Sequence, residues 1–291
     1  FQFRLLLAGL GSIGKRHAEV LLGLGCANLA GSDPSEHARE EFRRIAPNAR
    51  LYADYGDALR DFRPDAVFVL TPTKLHIPMA KRAVEAGAHV FVEKPLCYSS
   101  EGAAELKSLA EARGRKVMVG FCFRYHGALL AAKKRVDAGE IGRVISIRAM
   151  AGEPFYEIHP EYMGMYYSKY SGAFDLVHDI DLAIWFAGQE IRRVEGVYGA
   201  FSEMGMESPD TVEMLIEFQD RLVANVHLDF FQSPRRRTID IIGWEGVVQV
   251  EFASWDRAEL RAYTRSAGSW EVVEFRSRME LPEPVPMMIR S

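Results

Sequence analysis

Two patterns of hydrophobic and polar positions follow one another along the chain. In the first 121 residues, short apolar runs alternate with amphipathic stretches, which predicts strands separated by helices. The predicted strands are residues 3–8, 27–32, 66–70, 89–92 and 116–119, and the predicted helices are residues 15–24, 79–86 and 102–113. Strands that alternate with helices form a parallel, doubly wound sheet, and ligands bind beyond the carboxyl ends of its strands.

The pattern changes after residue 121. A predicted helix (127–138) and a predicted strand (143–151) lead into a loop rich in Tyr and Met and a second helix (172–186). Further strand patterns follow in series at residues 194–202, 211–218, 222–231, 238–242, 247–252, 259–263 and 270–275. Strands joined by short turns predict a large, mostly antiparallel open sheet. We therefore expect an α/β protein with a doubly wound domain at residues 1–121 and an α+β domain at residues 122–291.

The first predicted strand runs directly into a glycine motif. The residues Gly9-Leu10-Gly11-Ser12-Ile13-Gly14 have the spacing G-x-G-x-x-G between a buried strand and a helical pattern. In a Rossmann fold these glycines allow a tight turn, close approach of the backbone to a pyrophosphate, and close packing of helix on strand. The helix N-terminus offers unpaired N–H groups to the phosphates. We therefore expect residues 1–121 to be a Rossmann domain whose residues Gly9, Gly11, Ser12, Ile13 and Gly14 bind a dinucleotide.

Asp33 follows the second predicted strand, at the distance from the glycine motif where an acidic ribose ligand is expected. A carboxylate there accepts hydrogen bonds from the ribose hydroxyls of NAD and repels the additional phosphate of NADP. Its other interpretation is a cap for the helix that begins near Ser35. The sequence favours NAD, and NADP stays open because Ser32 and Arg39 are compatible with a 2′-phosphate.

Composition and charge exclude several classes of protein. The net charge of −4 offers no basic surplus for nucleic acid, and no apolar run is long enough to span a membrane. The first apolar stretch has only the length of a strand, so no signal peptide is expected. Cys26, Cys97 and Cys122 lack C-x-x-C spacing, which indicates reduced thiols in the cytoplasm. No spacing of His, Asp and Glu predicts a metal site.

Lys94 follows the strand at 89–92, between Glu93 and Pro95, where ligands bind to such a sheet. A lysine near a cofactor can orient and polarise a substrate hydroxyl, although a strand-end lysine is also common on plain surfaces. Other cofactor candidates at the same edge are Thr71, Pro72, His76 and Glu93, of which we expect His76 on the nicotinamide side.

The predicted helix 172–186 carries a second group of candidates. At 100° per residue, Asp175 and His178 are neighbours on one face, with Asp179 beside them. The unperturbed pKa of histidine suits proton transfer near neutrality, and a neighbouring carboxylate can orient the ring. The alternative is that Asp175 caps the helix and His178 is a histidine of the core. Substrate candidates are Arg124, Tyr125, His159, Tyr166 and Asp179.

Taken together, these motifs resemble the glucose–fructose oxidoreductase/inositol dehydrogenase (Gfo/Idh/MocA) family over most of the chain. The markers are AGLGSIGKRH at 8–17, TPT at 71–73 with His76, EKP at 93–95, GFCFR at 120–124 and HDIDL at 178–182. The resemblance implies a Rossmann domain, and an open-sheet domain that carries a sugar or polyol substrate and often the oligomer contact. It assigns catalytic roles to Lys94, Asp175 and His178.

Three departures from the family pattern matter. The Asp and His of many relatives are four residues apart, whereas Asp175 and His178 are three apart, which leaves open whether Asp175 or Asp179 is the functional carboxylate. An asparagine is common at the position of Cys122. This leaves open whether one contact with substrate or cofactor differs from that in relatives. Relatives usually continue into another helix beyond the last strands, which leaves open whether residues are missing from this sequence.

The sequence predicts an NAD-dependent oxidoreductase, with NADP possible, that acts on a secondary alcohol of a sugar, polyol or sugar derivative. It is expected to work in the cytoplasm as a homodimer or homotetramer, without nucleic acid, membrane or metal. One alternative is a sensor that binds the dinucleotide without turnover, against which Lys94 and His178 argue. Another is an oxidoreductase that holds its cofactor tightly and recycles it between two sugars.

Overall fold

The computed structural model describes residues 3–276 of the 291-residue chain. The chain divides into two compact units, with the boundary between Phe121 and Cys122. Each unit contains one β-sheet. No helix among the described residues is both long enough and apolar enough to cross a lipid bilayer.

The first unit has six strands: β1 (Leu5–Ala8), β2 (Leu29–Ser32), β3 (Arg50–Tyr52), β4 (Ala66–Val69), β5 (His89–Val92) and β6 (Val117–Val119). They form one parallel sheet in the order β3-β2-β1-β4-β5-β6. Its helices are α1 (Ser12–Gly23), α2 (Glu36–Ile45), α3 (Tyr55–Phe62), α4 (His76–Glu85) and α5 (Ala103–Ala112). This order is that of a Rossmann fold, so the predicted doubly wound parallel sheet is confirmed.

Both faces of this sheet are buried, which explains its continuous apolar strands. Successive side chains of a strand point to opposite faces. Leu6 and Ala8 accordingly join one hydrophobic cluster, whereas Leu5 and Leu7 join another. Strand β3 and helix α3 were not predicted, because a strand of three residues without a fully buried side chain is too short to show a period.

The second unit has an eight-stranded sheet in the order β14-β13-β12-β11-β7-β10-β9-β8. Its strands are β7 (Val144–Gly152), β8 (Ile191–Gly199), β9 (Thr211–Phe218), β10 (Val223–Asp229), β11 (Arg236–Gly243), β12 (Gly246–Ser254), β13 (Arg257–Thr264) and β14 (Trp270–Phe275). All neighbours are antiparallel except β7 and β10, which are parallel. The predicted mostly antiparallel open sheet is therefore confirmed.

Helices of the second unit cover one face of its sheet. They are α6 (Gly127–Asp137), the short α7 (Phe155–Ile158) and α8 (His178–Ala187). Leu129 of α6 and Leu182 of α8 share a buried cluster with Ile147 of β7 and Leu228 of β10. The strand β8 at the sheet edge is exposed along nearly its whole length.

The prediction of one continuous helix over 172–186 was wrong. Residues Gly172–Leu176 form a 3-10 helix, and the α-helix α8 begins only at His178. Gly172 has a φ of 53°, and a Cβ at this position would lie 2.0 Å from the carbonyl oxygen of Pro209. The backbone therefore enters this segment in a conformation that an α-helix does not allow. Asp175 and His178 lie in two different elements, so the argument from 100° per residue does not apply to them.

Candidate functional site

The glycine motif lies in the turn between β1 and α1, and its three glycines meet different surroundings. Gly9 has a φ of 98°, and a Cβ there would lie 2.6 Å from the carbonyl oxygen of Leu70. A Cβ at Gly14 would lie 2.2 Å from the carbonyl oxygen of Gly9. Among the described residues, a Cβ at Gly11 would meet no atom within 4 Å other than those of its chain neighbours. Gly9 and Gly14 are therefore required for packing. Gly11 leaves an open approach to the backbone beside the N-terminus of α1, which suits a pyrophosphate.

Asp33 follows β2, and both oxygens of its carboxylate accept backbone hydrogen bonds. Oδ2 accepts from the N–H of Leu10 at 2.9 Å, and Oδ1 accepts from the N–H of Ser35 at 2.9 Å. The cap of α2 is Ser35, whose Oγ accepts from the N–H of Ala38 at 3.2 Å. Asp33 thus braces the glycine turn itself. Each carboxylate oxygen has a second lone pair, which leaves capacity for a ribose hydroxyl.

Arg39 binds the backbone next to this carboxylate. Its Nη1 donates to the carbonyl oxygen of Asp33 at 2.7 Å and to that of Pro34 at 3.0 Å. The guanidinium therefore holds the loop after β2 through its backbone. The sequence offered Asp33 and Arg39 as two residues that bear on the choice between NAD and NADP. In the structure they are joined by a hydrogen bond from Arg39 to the backbone of Asp33.

The loops after β4 and β5 are joined by His76. Its Nδ1 lies 2.8 Å from the carbonyl oxygen of Pro95, and its Nε2 lies 2.7 Å from the carbonyl oxygen of Thr71. The side chain is buried, and each of its ring nitrogens faces one carbonyl oxygen, to which an N–H of the ring can donate. Pro72 is exposed beside Thr71. The place of His76 on the nicotinamide side, and the contacts of Thr71 and Pro72 with the cofactor, stay predictions.

Glu93 is held at the end of β5 by two donors. Its Oε1 lies 2.8 Å from Nε2 of His17 on α1, and its Oε2 accepts from the N–H of Lys94 at 3.0 Å. Burial acts to raise the pKa of the Glu93 carboxyl, but the bond with His17 and the other nearby donors outweigh it and hold the pKa below its usual range. The charged carboxylate is therefore the favoured form beside Lys94.

In the second unit, His178 is the first residue of α8 and is buried. Its ring packs against Phe123, with 4.8 Å between the ring centroids. Asp175 is partly exposed in the preceding 3-10 helix. A buried histidine three residues after a partly exposed carboxylate is compatible with proton transfer. The catalytic roles of Asp175 and His178 stay predictions.

Asp179 differs clearly from Asp175 in its surroundings. Its Oδ2 lies 3.1 Å from Nη2 of Arg237 on β11, and the side chains are only 1% and 4% exposed. Burial raises the pKa of the Asp179 carboxyl, and the charge of Arg237 opposes that rise. The guanidinium also lies over the ring of Phe123, 4.8 Å from its centroid. Asp179 is therefore occupied inside the second unit, which favours Asp175 as the functional carboxylate.

The remaining substrate candidates of the sequence lie in different parts of the second unit. Arg124 makes two hydrogen bonds to Asp181, of 2.8 Å and 2.6 Å, in a paired geometry. Tyr125 is half-buried next to it. His159 directly follows the short helix α7, with its ring 4.9 Å from that of Phe155. Tyr166 is exposed and packs on Tyr170. Their contacts with substrate stay predictions.

Sequence reasoning missed three partners in these contacts. His17 belongs to the motif AGLGSIGKRH but had no role, and neither Asp181 nor Arg237 was assigned a partner. The signal for Arg237 was its alternation with Thr238 and Ile239 at the start of a strand, which puts it on the buried face of β11. Nothing in the sequence indicated which carboxylate it pairs with.

All the elements that carry the first group of candidates end at one edge of the parallel sheet. Gly9 follows β1, Asp33 follows β2, Thr71 follows β4 and Lys94 follows β5. Because parallel strands share the direction of their carboxyl ends, these residues line the edge at which such sheets bind dinucleotides. The fold and this edge define a dinucleotide-binding protein with an additional open-sheet domain.

The comparisons with known proteins agree with this class and narrow it. Residues 3–121 match the oxidoreductase family with an NAD-binding Rossmann fold, and residues 129–249 match the GFO/IDH/MocA C-terminal domain. The chain belongs to the GFO/IDH/MocA family of oxidoreductases, as the resemblance in its motifs predicted.

The chain is similar to curated and solved members of this family. It is 31% identical to a scyllo-inositol 2-dehydrogenase (NAD(+)) of Bacillus subtilis, over 85% of this chain and 73% of that protein. It is 29% identical to an inositol 2-dehydrogenase/D-chiro-inositol 3-dehydrogenase of Lacticaseibacillus casei, over 83% of this chain and 70% of that protein. The fold matches the WlbA dehydrogenase of Bordetella pertussis, solved with NADH and UDP-GlcNAcA, with a TM-score of 0.78 at 22% identity over 88% and 75% of the chains.

Proposed function

We propose that this protein is an NAD-dependent oxidoreductase that interconverts a secondary alcohol and a ketone on a sugar, polyol or sugar derivative. The observation that carries the proposal is one edge of the parallel sheet, where the open approach at Gly11, the carboxylate of Asp33 and Lys94 follow the carboxyl ends of β1, β2 and β5. The names of the curated relatives, which are inositol dehydrogenases, support a polyol or sugar as the substrate class.

The residues present fit NAD. Gly11 leaves space at the helix N-terminus for the pyrophosphate, and Asp33 has lone pairs for the ribose hydroxyls. When bound, NAD supplies the hydride acceptor or donor. In this proposal His178 takes the proton of the substrate hydroxyl as general base. Lys94 orients that hydroxyl and stabilises the negative charge that develops on its oxygen.

Asp175 is proposed to orient His178, because Asp179 is already paired with Arg237. The negative charge of a neighbouring carboxylate stabilises the imidazolium that forms when His178 accepts a proton. In the direction of ketone reduction, the same imidazolium returns the proton to the substrate oxygen. The protein's contribution is therefore positioning and electrostatics, which apply in both directions of the reaction.

A screen of sugars, polyols and nucleotide sugars, followed by the absorbance of NADH, tests the proposal. Once a substrate is found, we expect His178→Ala and Lys94→Ala each to lower kcat by about 10²–10⁴-fold, as the loss of a positioned acid or base does. NAD binding should survive in both variants. Lys107→Ala, at an exposed position of α5, is the matched control and should keep normal turnover.

The alternatives are separated by the same material. If no member of the screen is turned over and both variants bind NAD as the wild type does, a non-catalytic sensor is the better description. If the purified protein retains its nucleotide, an oxidoreductase that recycles a bound cofactor between two sugars is favoured. Normal turnover in both His178→Ala and Lys94→Ala would contradict the proposed mechanism.

The proposal extends to assembly and location. The edge strand β8 exposes Val194, Val197 and Tyr198, with 50%, 61% and 65% of each residue accessible, and a second copy of the chain is the proposed cover. Light scattering of the purified protein should therefore give the mass of a dimer or tetramer. The cytoplasm is the proposed location, because Cys26, Cys97 and Cys122 are thiols, and cell fractionation tests it.

A further inference from the structure

Lys94 stands between two residues that are each held by a histidine. On one side, the carboxylate of Glu93 lies 2.8 Å from Nε2 of His17. On the other side, the carbonyl oxygen of Pro95 lies 2.8 Å from Nδ1 of His76. The two histidines come from different helices, α1 and α4. The backbone on both sides of Lys94 is therefore tied to elements other than its own strand.

The position of His17 is itself fixed by packing. Its ring lies 5.9 Å from the ring of Phe68 on β4 and 5.3 Å from that of Phe91 on β5, measured between centroids. These aromatic contacts leave the imidazole few alternative rotamers, so that Nε2 is directed at Glu93. Since the other oxygen of Glu93 accepts from the N–H of Lys94, the contact continues from helix α1 through one carboxylate to the lysine backbone.

His76 forms the second brace and is more deeply buried, with 1% of the residue exposed. It binds one carbonyl in each of two loops, that of Thr71 after β4 and that of Pro95 after β5. Both loops lie at the carboxyl ends of adjacent strands. A single side chain therefore fixes the spacing between the loop that contains Lys94 and its neighbour in the sheet.

We propose that His17 and His76 are positioning residues that hold Lys94 in its working geometry, one through Glu93 and one through Pro95. The inference rests on the catalytic role of Lys94 in the proposed function. Neither histidine needs to contact substrate for this role. The lowered pKa of the Glu93 carboxyl supports the first brace, because a charged carboxylate makes the stronger bond to the ring.

The physical basis is the sensitivity of hydride and proton transfer to position. A displacement of about 1 Å in a catalytic group can lower the rate by about 10²-fold, even when the altered residue lies away from the reacting atoms. Lysine has a long flexible side chain, so its backbone must be well fixed for its ammonium group to occupy one place. Two braces on adjacent backbone groups supply that restraint.

The test uses matched variants of the full chain. His17→Phe keeps an aromatic ring against Phe68 and Phe91 but removes the bond to Glu93, whereas His17→Gln restores an N–H donor. His76→Leu removes both bonds to carbonyl oxygens, and His76→Gln restores one donor. His37→Phe is the control, because the side chain of His37 on α2 is 84% exposed.

We expect His17→Phe and His76→Leu to lower kcat by about 10- to 100-fold, with smaller changes in the dissociation constant of NADH. The glutamine variants should recover most of that loss, and His37→Phe should match the wild type. In a Lys94→Ala background, His17→Phe should lower kcat little further, because the effects of substituting residues that act through one another are not additive. A full multiplicative loss in the double variant would overturn the inference.

A second measurement separates this inference from the proposed function. Labelling of lysines with an amine-reactive acetylating reagent at one fixed pH, read by mass spectrometry, gives the labelling rate of Lys94 relative to that of Lys107 without any substrate. We expect this relative rate to change in His17→Phe and His76→Leu and to match the wild type in His37→Phe. An unchanged rate together with normal kcat overturns the inference. Normal turnover in Lys94→Ala would instead contradict the proposed function.

Discussion

Asp179 and Arg237 form an ion pair inside the second domain, with 3.1 Å between Oδ2 and Nη2. Removing one partner of a buried pair leaves the other charge uncompensated, which typically costs about 3–5 kcal/mol. We therefore expect Asp179→Asn to lower the free energy of unfolding by about 3 kcal/mol. Urea denaturation monitored by circular dichroism measures this loss, and a stability within experimental error of the wild type would contradict it.

Asp175→Asn is the counterpart and should affect turnover more than stability. Asp175 is partly exposed, and its proposed role is to orient His178. Loss of that orientation should lower kcat by about 10²-fold or more, because a misdirected base transfers protons poorly. The comparison is made on steady-state kinetics of both variants, corrected for the folded fraction. If Asp179→Asn loses more turnover per folded molecule, the functional carboxylate is Asp179.

Gly11→Val should abolish NAD binding in a folded protein. The added side chain would occupy the open approach beside α1, because within residues 3–276 only the chain neighbours of Gly11 come within 4 Å of a Cβ at this position. Calorimetric titration with NAD gives the affinity, and thermal unfolding gives the stability. Gly14→Ala is the contrasting variant, because its Cβ would lie 2.2 Å from the carbonyl oxygen of Gly9 and should destabilise the domain. Unchanged NAD affinity in folded Gly11→Val would remove the site from this turn.

Asp33→Ala should narrow the preference for NAD over NADP, because the repulsion of a 2′-phosphate disappears with the carboxylate. The variant should also bind NAD itself more weakly, because the glycine turn loses the hydrogen bond from the N–H of Leu10 to Asp33. The ratio of the two dissociation constants separates these effects. Ser35→Ala is the control, because it removes the cap of α2 in the same loop without changing its charge. A wild type that binds NADP more tightly than NAD would overturn this role of Asp33.

His227 predicts a change of stability with pH in the second domain. Its ring lies 2.9 Å from Asp229 and 2.6 Å from Glu213, and the bonds to these carboxylates raise its pKa from 6.5 to about 9. The stabilisation is complete below the unfolded pKa of 6.5 and is lost as the pH rises through 9. We expect His227→Gln to lower the free energy of unfolding by about 2 kcal/mol near pH 6 and by much less near pH 10. Unfolding free energies that differ equally at both pH values would contradict this prediction.

Three strands could be predicted from the sequence with both of their ends correct. Residues 89–92, 211–218 and 270–275 match β5, β9 and β14 at both ends, because apolar period and flanking turn residues agree there. The split between the 3-10 helix and α8 was not predictable, since it follows from the contact of Gly172 with Pro209, far along the chain. Local periodicity carries no information about such a contact.

The candidate site shows the same limit. The glycine motif, Asp33 and Lys94 could be placed from the sequence because each directly follows a recognisable strand. The partners that hold them could not, because His17 and Glu93 are 76 positions apart and Asp179 and Arg237 belong to different elements. Ion pairs of this kind arise from tertiary packing, for which a single sequence contains no periodic signal.

β7 pairs in parallel with β10, and a long segment separates β7 from the next strand of the chain. The strands align from Ser146 with Val223 to Gly152 with Asp229, and residues 153–190 leave the end of β7 before the chain returns as β8. That excursion contains α7 and α8, and therefore His178, while all the strand registers lie outside it. Insertions and deletions within residues 153–171 can therefore change the segment that precedes His178 without shifting a single strand pair. A loop of this kind can vary in length and sequence on one unchanged scaffold.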